Sequence, residues 1–162
     1  MSEKKEEHNI LWAPWRVKYV TQNNEGKCIF CAKSKEEKDK ENYILSRGEN
    51  AFAMLNIYPY NNGHIMIAPY QHTGEFEDLP KKTISEMMDM VKKYVKLIKQ
   101  EMQAQGFNIG INIGAVAGAG IKDHIHIHVV PRWTGDTNYM PVIGKHEIIS
   151  ESLDSVYNKL KA

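Results

Sequence analysis

Residues 124–130 of this chain have the sequence His-Ile-His-Ile-His-Val-Val, and this run carries most of the information about fold and chemistry. Strict alternation of polar and apolar residues, with β-branched side chains between the histidines, predicts a β-strand. Because successive side chains on a strand point to opposite faces, His124, His126 and His128 should share one face. The isoleucines and the first valine should then face the core. The run therefore predicts a core strand that presents three imidazoles in a row.

The segments around this strand also show recognisable patterns. Residues 51–55 and 64–68 are predicted to be two strands of a hairpin-like pair, joined by a connection rich in Asn, Pro and Gly. Residues 107–113 are predicted to be another strand, which a glycine-rich loop separates from the histidine run. A short terminal helix is expected over residues 150–160.

One long helix is predicted over residues 83–105. Thr83 and Glu86 form a capping box in the sequence, and Gly106 is a typical helix stop. Its methionines are expected to fill the core rather than to form a binding stripe. The apolar residues that recur at three and four positions are Ile84, Met87, Met88, Val91, Tyr94, Val95, Ile98 and Met102.

Strand pairs with one long helix between them indicate an α+β fold with a chiefly antiparallel sheet. A length of 162 residues suits a single domain. Residues 1–9 are charged and lack apolar periodicity, so we expect a disordered polar tail there and one domain over residues 10–162. Trp12 and Trp15 are expected to anchor onto the domain or onto a dimer partner.

The charge balance narrows the class of partner. Lys and Arg total 21 against 20 Asp and Glu, so there is no broad basic field for nucleic acid. The longest apolar stretches are too short for a membrane span, and the acidic, polar start does not resemble a targeting signal. We therefore expect a cytoplasmic protein with a small-molecule ligand and no membrane or nucleic-acid partner.

Two chemistries can use a strand of three histidines. A His-x-His pair can hold a catalytic zinc, or a neutral imidazole can attack phosphorus and form a covalent intermediate. The loop at 114–120 favours attack, because its three glycines let backbone N–H groups approach an anion closely. Gly118, Ala119 and Gly120, which lie nearest the histidines, are the candidate phosphate-binding positions.

A wider set of positions resembles a known family. The Cys28-x-x-Cys31 pair, the Gly63-His64 step and the run at 124–130, with further matches at Asn56, His72 and Asn112, resemble the histidine triad family. The flanking stretches Leu-Trp-Ala-Pro-Trp-Arg at 11–16 and Pro-Arg-Trp-Thr-Gly-Asp-Thr-Asn-Tyr-Met-Pro-Val at 131–142 resemble its bacterial branch, which includes diadenosine tetraphosphate phosphorylases.

The resemblance implies a homodimer whose subunits each carry a five-stranded antiparallel sheet, one long helix and a C-terminal helix. It implies hydrolysis or transfer of a nucleoside monophosphate from dinucleoside polyphosphates or related nucleotides through a nucleotidyl-histidine intermediate. His126 matches the nucleophile, and His128 and His64 match groups that hold the phosphate and the attacking ring. Asn56 matches the ribose-binding position, and Asn112 a phosphate-side asparagine.

Two departures leave alternatives open. Gly120 and Ile121 stand where the family often has Gln or Ser donors, so backbone N–H groups must replace them or activity is lower. The choice between water and inorganic phosphate as acceptor is therefore open. A second function, a nucleotide-binding regulator with weak or no catalysis, stays in play, as does a zinc hydrolase with its metal on the triad. Asn56 in place of Asp is milder, since an amide oxygen still accepts from a hydroxyl.

The two cysteines have three interpretations: a metal half-site, a redox pair, or free thiols. No thioredoxin-like βαβ pattern surrounds Cys28 and Cys31, which disfavours the redox pair. Some bacterial members of the family hold a structural zinc, and the matching ligands here are these cysteines with His72 and His124. The resemblance thus implies a Cys₂His₂ zinc site and no organic cofactor, and zinc on His124 would make that residue a positioning device.

Overall fold

The computed structural model describes residues 28–136 and 149–161. The predicted tail at 1–9, the Trp12 and Trp15 motif and positions 137–142 lie outside the described residues. The described elements are α1 (Ile29–Ser34), β1 (Ile44–Arg47), β2 (Ala51–Leu55), β3 (Ile65–Pro69), a 3₁₀ turn (Phe76–Asp78), α2 (Lys81–Met102), β4 (Gly106–Ile111), a second 3₁₀ turn (Ala115–Ala117), β5 (Ile127–Arg132) and α3 (Leu153–Leu160).

The described strands form one five-stranded sheet in the order β1-β2-β3-β5-β4, and every neighbouring pair is antiparallel. This confirms the predicted α+β class, with a long helix and a C-terminal helix beside the sheet. β2 has the predicted bounds, whereas β3 and β4 each begin one residue away from the prediction. The histidine strand differs more, because regular pairing starts at Ile127 rather than at His124.

The main core lies between one face of the sheet and the helices α2 and α3. Ile125, Ile127 and Val129 belong to it, as the alternation in the histidine run predicted. Buried side chains of α2 pack on the same core, with Met87 and Tyr94 among them. Burial of these apolar side chains away from water is the largest stabilising contribution to such a domain.

The ends of α2 correct two details of the prediction. The helix begins at Lys81, directly after Pro80, and no side-chain hydrogen bond caps it. Glu86 is not part of a capping box; its carboxylate instead accepts from the backbone N–H groups of Glu49 and Asn50 in the β1–β2 turn. The helix ends at Met102, and the next residue, Gln103, rather than Gly106, adopts the left-handed conformation that stops it, with φ 55°.

A second apolar cluster covers the opposite face of the sheet. Phe30 from α1 packs there against Phe52 and Met54 of β2 and against Met66 of β3. His128 pairs with Met66 across β3 and β5, so this cluster shares its face with the histidines. The histidine side chains therefore lie beside this apolar cluster, on the sheet face that α1 partly covers.

Within residues 28–136 and 149–161, no helix is both long enough and apolar enough to cross a membrane.

Candidate active site and metal centre

The three histidines of the run lie on a short extended segment that leads into β5. His124 and His126 precede the regular ladder because Ile125 donates its N–H to Thr73 O at 2.7 Å instead of pairing with β3. The rings of His126 and His128 remain neighbours, with centroids 4.7 Å apart. Phe30 lies against His126 at a centroid distance of 4.8 Å. The alternation that predicted a shared face is thus kept, although the strand starts later than predicted.

His126 is buried and has a defined tautomer. Its Nδ1 lies 2.9 Å from His124 O, and because a carbonyl can only accept, Nδ1 must carry the hydrogen. Burial lowers the pKa of His126, although the bond to the carbonyl opposes this shift. A neutral ring protonated at Nδ1 has its lone pair on Nε2. This is the state in which an imidazole can attack an electrophile.

His64 and His128 form a directed hydrogen-bonded pair. The Nδ1 atom of His64 accepts from the N–H of Tyr60 at 3.0 Å, and the Nδ2 group of Asn56 lies 3.3 Å from the same atom. The hydrogen of neutral His64 is therefore on Nε2, which lies 2.9 Å from His128 Nδ1. By the same logic, neutral His128 carries its hydrogen on Nε2.

Burial keeps both rings of this pair uncharged. Burial, followed by the effect of the neighbouring imidazoles, lowers the pKa of His64 to about 3 and that of His128 to about 4. At neutral pH each ring therefore acts as one donor and one acceptor. The pair can offer an N–H group to an anion without a formal charge.

The predicted nucleotide-binding residues are placed as follows. Asn56 is buried, and its Oδ1 accepts from Tyr58 N at 2.9 Å, while its Nδ2 faces His64. Asn112 donates to Gly118 O at 3.2 Å and so fixes the glycine-rich loop. Gly118 has φ 84°, which favours glycine, and Gly120 is exposed with open space at its Cα.

A separate cluster brings together Cys28, Cys31, His72 and His124, the four residues that the resemblance implied as ligands. One ligand atom from each lies within 4.8 Å of all the others. Four sulfur and nitrogen atoms around a tetrahedral zinc lie about 3.3–3.8 Å apart. The observed separations include 3.2 Å from Cys28 Sγ to His124 Nδ1 and 3.4 Å from Cys31 Sγ to His72 Nδ1. The cluster could therefore bind a metal ion.

The tautomer of His124 suits a metal ligand. Its Nε2 lies 2.9 Å from Pro69 O and must donate to it, which leaves the Nδ1 lone pair facing the two sulfurs and His72. The carbonyl of the same residue accepts from His126 Nδ1. His124 thus connects the metal cluster to the ring of His126.

Three residues of the site had no specific prediction. Phe30 covers His124 and His126. Tyr60 is 53% exposed, and the centroid of its ring lies 4.6 Å from that of His64. Asn61, which follows Tyr60, is buried. All are turn or helix positions whose side chains carry no distinctive spacing. For the segment before His64, the sequence predicts only a connection between two strands.

A five-stranded antiparallel sheet with an aligned set of histidines at its centre defines the class of histidine triad proteins. The HIT domain model matches residues 37–135, which is more than half of the 162-residue chain. The chain belongs to the HIT family.

Individual relatives agree with this assignment. An AP-4-A phosphorylase from Mycobacterium tuberculosis is 36% identical over 151 residues, covering 88% of this chain and 77% of the relative. An adenosine 5'-monophosphoramidase from Candida albicans is 27% identical over 147 residues, covering 82% of this chain and 95% of the relative. The crystal structure of a Zn-bound histidine triad family protein from Mycobacterium smegmatis aligns with a TM-score of 0.67 at 27% identity, covering 83% of this chain and 91% of that chain.

Proposed function

We propose that this protein cleaves dinucleoside polyphosphates, such as diadenosine tetraphosphate, or related nucleotides through a covalent bond to His126. The observation that carries the proposal is the bond from His126 Nδ1 to His124 O, which leaves a neutral ring with a free lone pair on Nε2. The relatives named as an AP-4-A phosphorylase and a monophosphoramidase support this substrate class. Such a nucleophile needs no deprotonation at neutral pH.

The chemical steps balance as two displacements at one phosphorus. His126 Nε2 attacks the phosphorus of a nucleoside monophosphate unit, an N–P bond forms, and the bond to the leaving phosphate oxygen breaks with its electron pair. Water or inorganic phosphate then attacks the same phosphorus and releases a proton to solvent, while the N–P bond breaks and returns its electron pair to His126 Nε2. We assign the Nε2–H of His128 to a phosphate oxygen, because His64 keeps the Nδ1 of His128 as an acceptor.

Binding of the nucleotide is assigned to three further groups. Asn56 would hold a ribose hydroxyl through the second lone pair of its Oδ1. The backbone N–H groups of Gly118, Ala119 and Gly120 would face phosphate, with Asn112 holding this loop in place. In this scheme backbone donors replace the side-chain donors that Gly120 and Ile121 lack.

We also propose that Cys28, Cys31, His72 and His124 hold a structural zinc. The ligand separations, the free Nδ1 of His124 and the Zn-bound mycobacterial neighbour support it. When bound, the ion would bind the thiolates and crosslink three separate chain segments. The described cluster takes one histidine of the triad and leaves the other two for substrate. This division disfavours the zinc hydrolase alternative.

A homodimer is proposed through the outer edge of β4. This strand pairs with β5 on one side and ends the described sheet on the other. Ile109 of β4 is 47% exposed, as is Ile113 two residues beyond the end of the strand. A second copy would pair the strand and cover these side chains. Light scattering should show a dimer that Ile109→Lys breaks, while Met88→Lys on the exposed face of α2 leaves it intact. A wild-type monomer would contradict this proposal.

The single domain over residues 10–162 and the cytoplasmic location stay predictions.

The activity is tested by incubating the purified protein with diadenosine tetraphosphate, with and without inorganic phosphate, and separating the products. ADP and ATP formed only with phosphate would establish a phosphorylase, whereas AMP and ATP formed without it would establish a hydrolase. His126→Ala should abolish either reaction. A chelator should leave the rate of the folded protein unchanged, because the proposed zinc is structural and takes no part in the attack. Tight nucleotide binding without cleavage would favour the alternative, a nucleotide-binding regulator. The specific observation behind this alternative is that Gly120 and Ile121 offer no side-chain donor to the phosphate or the leaving group.

A further inference from the structure

The loop from Asn56 to His64 is held by the turn that follows β5. Regular pairing between β3 and β5 ends at Ile65 and Val129, so the sheet itself does not fix the residues beyond that point. The loop nevertheless supplies two donors that face His64 Nδ1, the Tyr60 N–H at 3.0 Å and the Nδ2 group of Asn56 at 3.3 Å. The position of this loop therefore decides which nitrogen of His64 accepts and which donates.

Asn61 joins the loop to the end of β5. It is buried, and its Nδ2 group donates to Pro131 O at 3.2 Å and to Asp136 Oδ2 at 2.8 Å. Its own carbonyl accepts from His64 N at 3.2 Å. One residue thus contacts the β5 side of the site through its side chain and the backbone of His64 through its main chain.

Asp136, in the turn that follows β5, accepts the hydrogen bond from Asn61 and is itself held by several donors. Its side chain is 9% exposed and accepts from Arg132 through both Nε and Nη2, at 2.6 and 2.9 Å, and from Trp133 N at 3.1 Å. Arg132 also donates to Asn108 Oδ1 of β4 at 3.0 Å. Through Arg132, the carboxylate is therefore held in place by β5 and β4. Its hydrogen bond with Asn61 fixes the loop to these two strands.

We propose that Asn61 and Asp136 are positioning residues for the His64–His128 pair. Their hydrogen bond holds the loop so that the Tyr60 N–H and the Nδ2 group of Asn56 keep His64 Nδ1 as an acceptor. This in turn makes His128 present its Nε2–H. Without that bond, the loop moves away from Pro131 and His64 can adopt the other tautomer. His128 would then direct a lone pair, instead of a donor, at an anionic phosphate oxygen. The effect on turnover rests on the proposed function; the effect on the tautomers does not.

The test is a ¹H–¹⁵N correlation spectrum of the histidine rings, recorded with the full-length protein and without substrate. In the wild type, His64 and His128 should both appear as Nε2–H tautomers and His126 as the Nδ1–H tautomer. In Asn61→Ala and in the gentler Asp136→Asn, the signals of His64 and His128 should shift toward a mixture of tautomers. The signals of His126, whose partner is His124 O, should stay in place.

The kinetic readout distinguishes positioning from substrate binding. Misplacing a group by about 1 Å costs on the order of 100-fold in rate, so kcat of Asn61→Ala should fall by about 10-fold to 100-fold with KM unchanged. Asn62→Ala is the matched control, because its side chain contacts Ser150 Oγ and Glu151 N and not Asp136. That variant should keep the wild-type tautomers and kcat.

Each outcome bears on the proposal. Wild-type tautomers in folded Asn61→Ala and Asp136→Asn would overturn it, as would an equal change in Asn62→Ala. If Asn61→Ala does not fold, Asp136→Asn alone carries the comparison. If the wild-type protein shows the expected tautomers but cleaves no nucleotide, the proposed function fails while the positioning role stands.

Discussion

Acid should destabilise this protein because its buried histidines are neutral in the folded state. The pKa of His64 is about 3 when folded, against an ordinary value of 6.5, and that of His128 is about 4. Between these values and pH 6.5, the unfolded chain binds protons that the folded chain does not bind. Proton binding by the unfolded chain therefore costs the fold no stability well above pH 6.5, and the cost grows as the pH falls below that value. From pH 7 to pH 5, the fully buried His64 should remove about 2 kcal/mol from the free energy of unfolding. His128 should remove less, because solvent partly screens its ring.

Urea unfolding at pH 7 and pH 5 measures this loss in the wild type and in His64→Gln. The variant lacks one of the two groups, so its loss between the two pH values should be smaller by about 2 kcal/mol. Titrating groups that do not contact His64, including any metal ligands, are common to both proteins and cancel in the comparison. His128 loses its hydrogen-bond donor in the variant, so the difference reports on the His64–His128 pair. Equal losses in the two proteins would refute the claim that His64 is folded as a neutral ring.

Three further predictions concern the scaffold around the site. Cys28→Ser should lower the bound zinc, measured by elemental analysis of the purified protein, from about one ion per chain to a small fraction, and should lower the melting temperature. Gly74→Ala should destabilise the fold by about 1–3 kcal/mol in urea, because the new Cβ would lie 2.5 Å from the carbonyl oxygen of Lys122; an unchanged unfolding midpoint would contradict this. Glu86→Gln should cost about 1–2 kcal/mol, since it weakens the charged acceptor of two backbone N–H groups in the β1–β2 turn, and the same urea assay checks it.

Periodicity was sufficient to predict the elements with many regular contacts. β2, β3 and the long helix follow directly from alternation or from three- and four-residue spacing. β1 was not predicted, because it has only four residues and its pairing with β2 is irregular after Ile44. α1 is a single short helix of six residues, too brief to show a period.

The ends of elements depended on contacts distant in sequence. Glu86 matches a capping box by spacing, but the free N–H groups of the β1–β2 turn compete for its carboxylate and win. The histidine run alternates from residue 124, yet its first half pairs with Thr73 instead of β3. Neither partner is visible from local sequence, because each lies more than 30 residues away.

The candidate site was predictable where residue chemistry is distinctive. Cysteines and histidines signalled the metal cluster, although Cys28 and His124 are 96 residues apart and only the family resemblance grouped them. Asn61 and Asp136 are common polar residues in turns, so nothing in their type or spacing marks them. Their role emerges only from the contacts that join the β2–β3 loop to the end of β5.

The central claim is that His126 carries the nucleotide covalently, and rapid quenching tests it most directly. The protein is mixed with diadenosine tetraphosphate, quenched under conditions that preserve N–P bonds, digested and analysed by mass spectrometry. The account predicts one adenylyl group on the peptide that contains residues 124–128, located at His126. Turnover in the same samples with no nucleotidylated protein, or with the nucleotide on another residue, would contradict it.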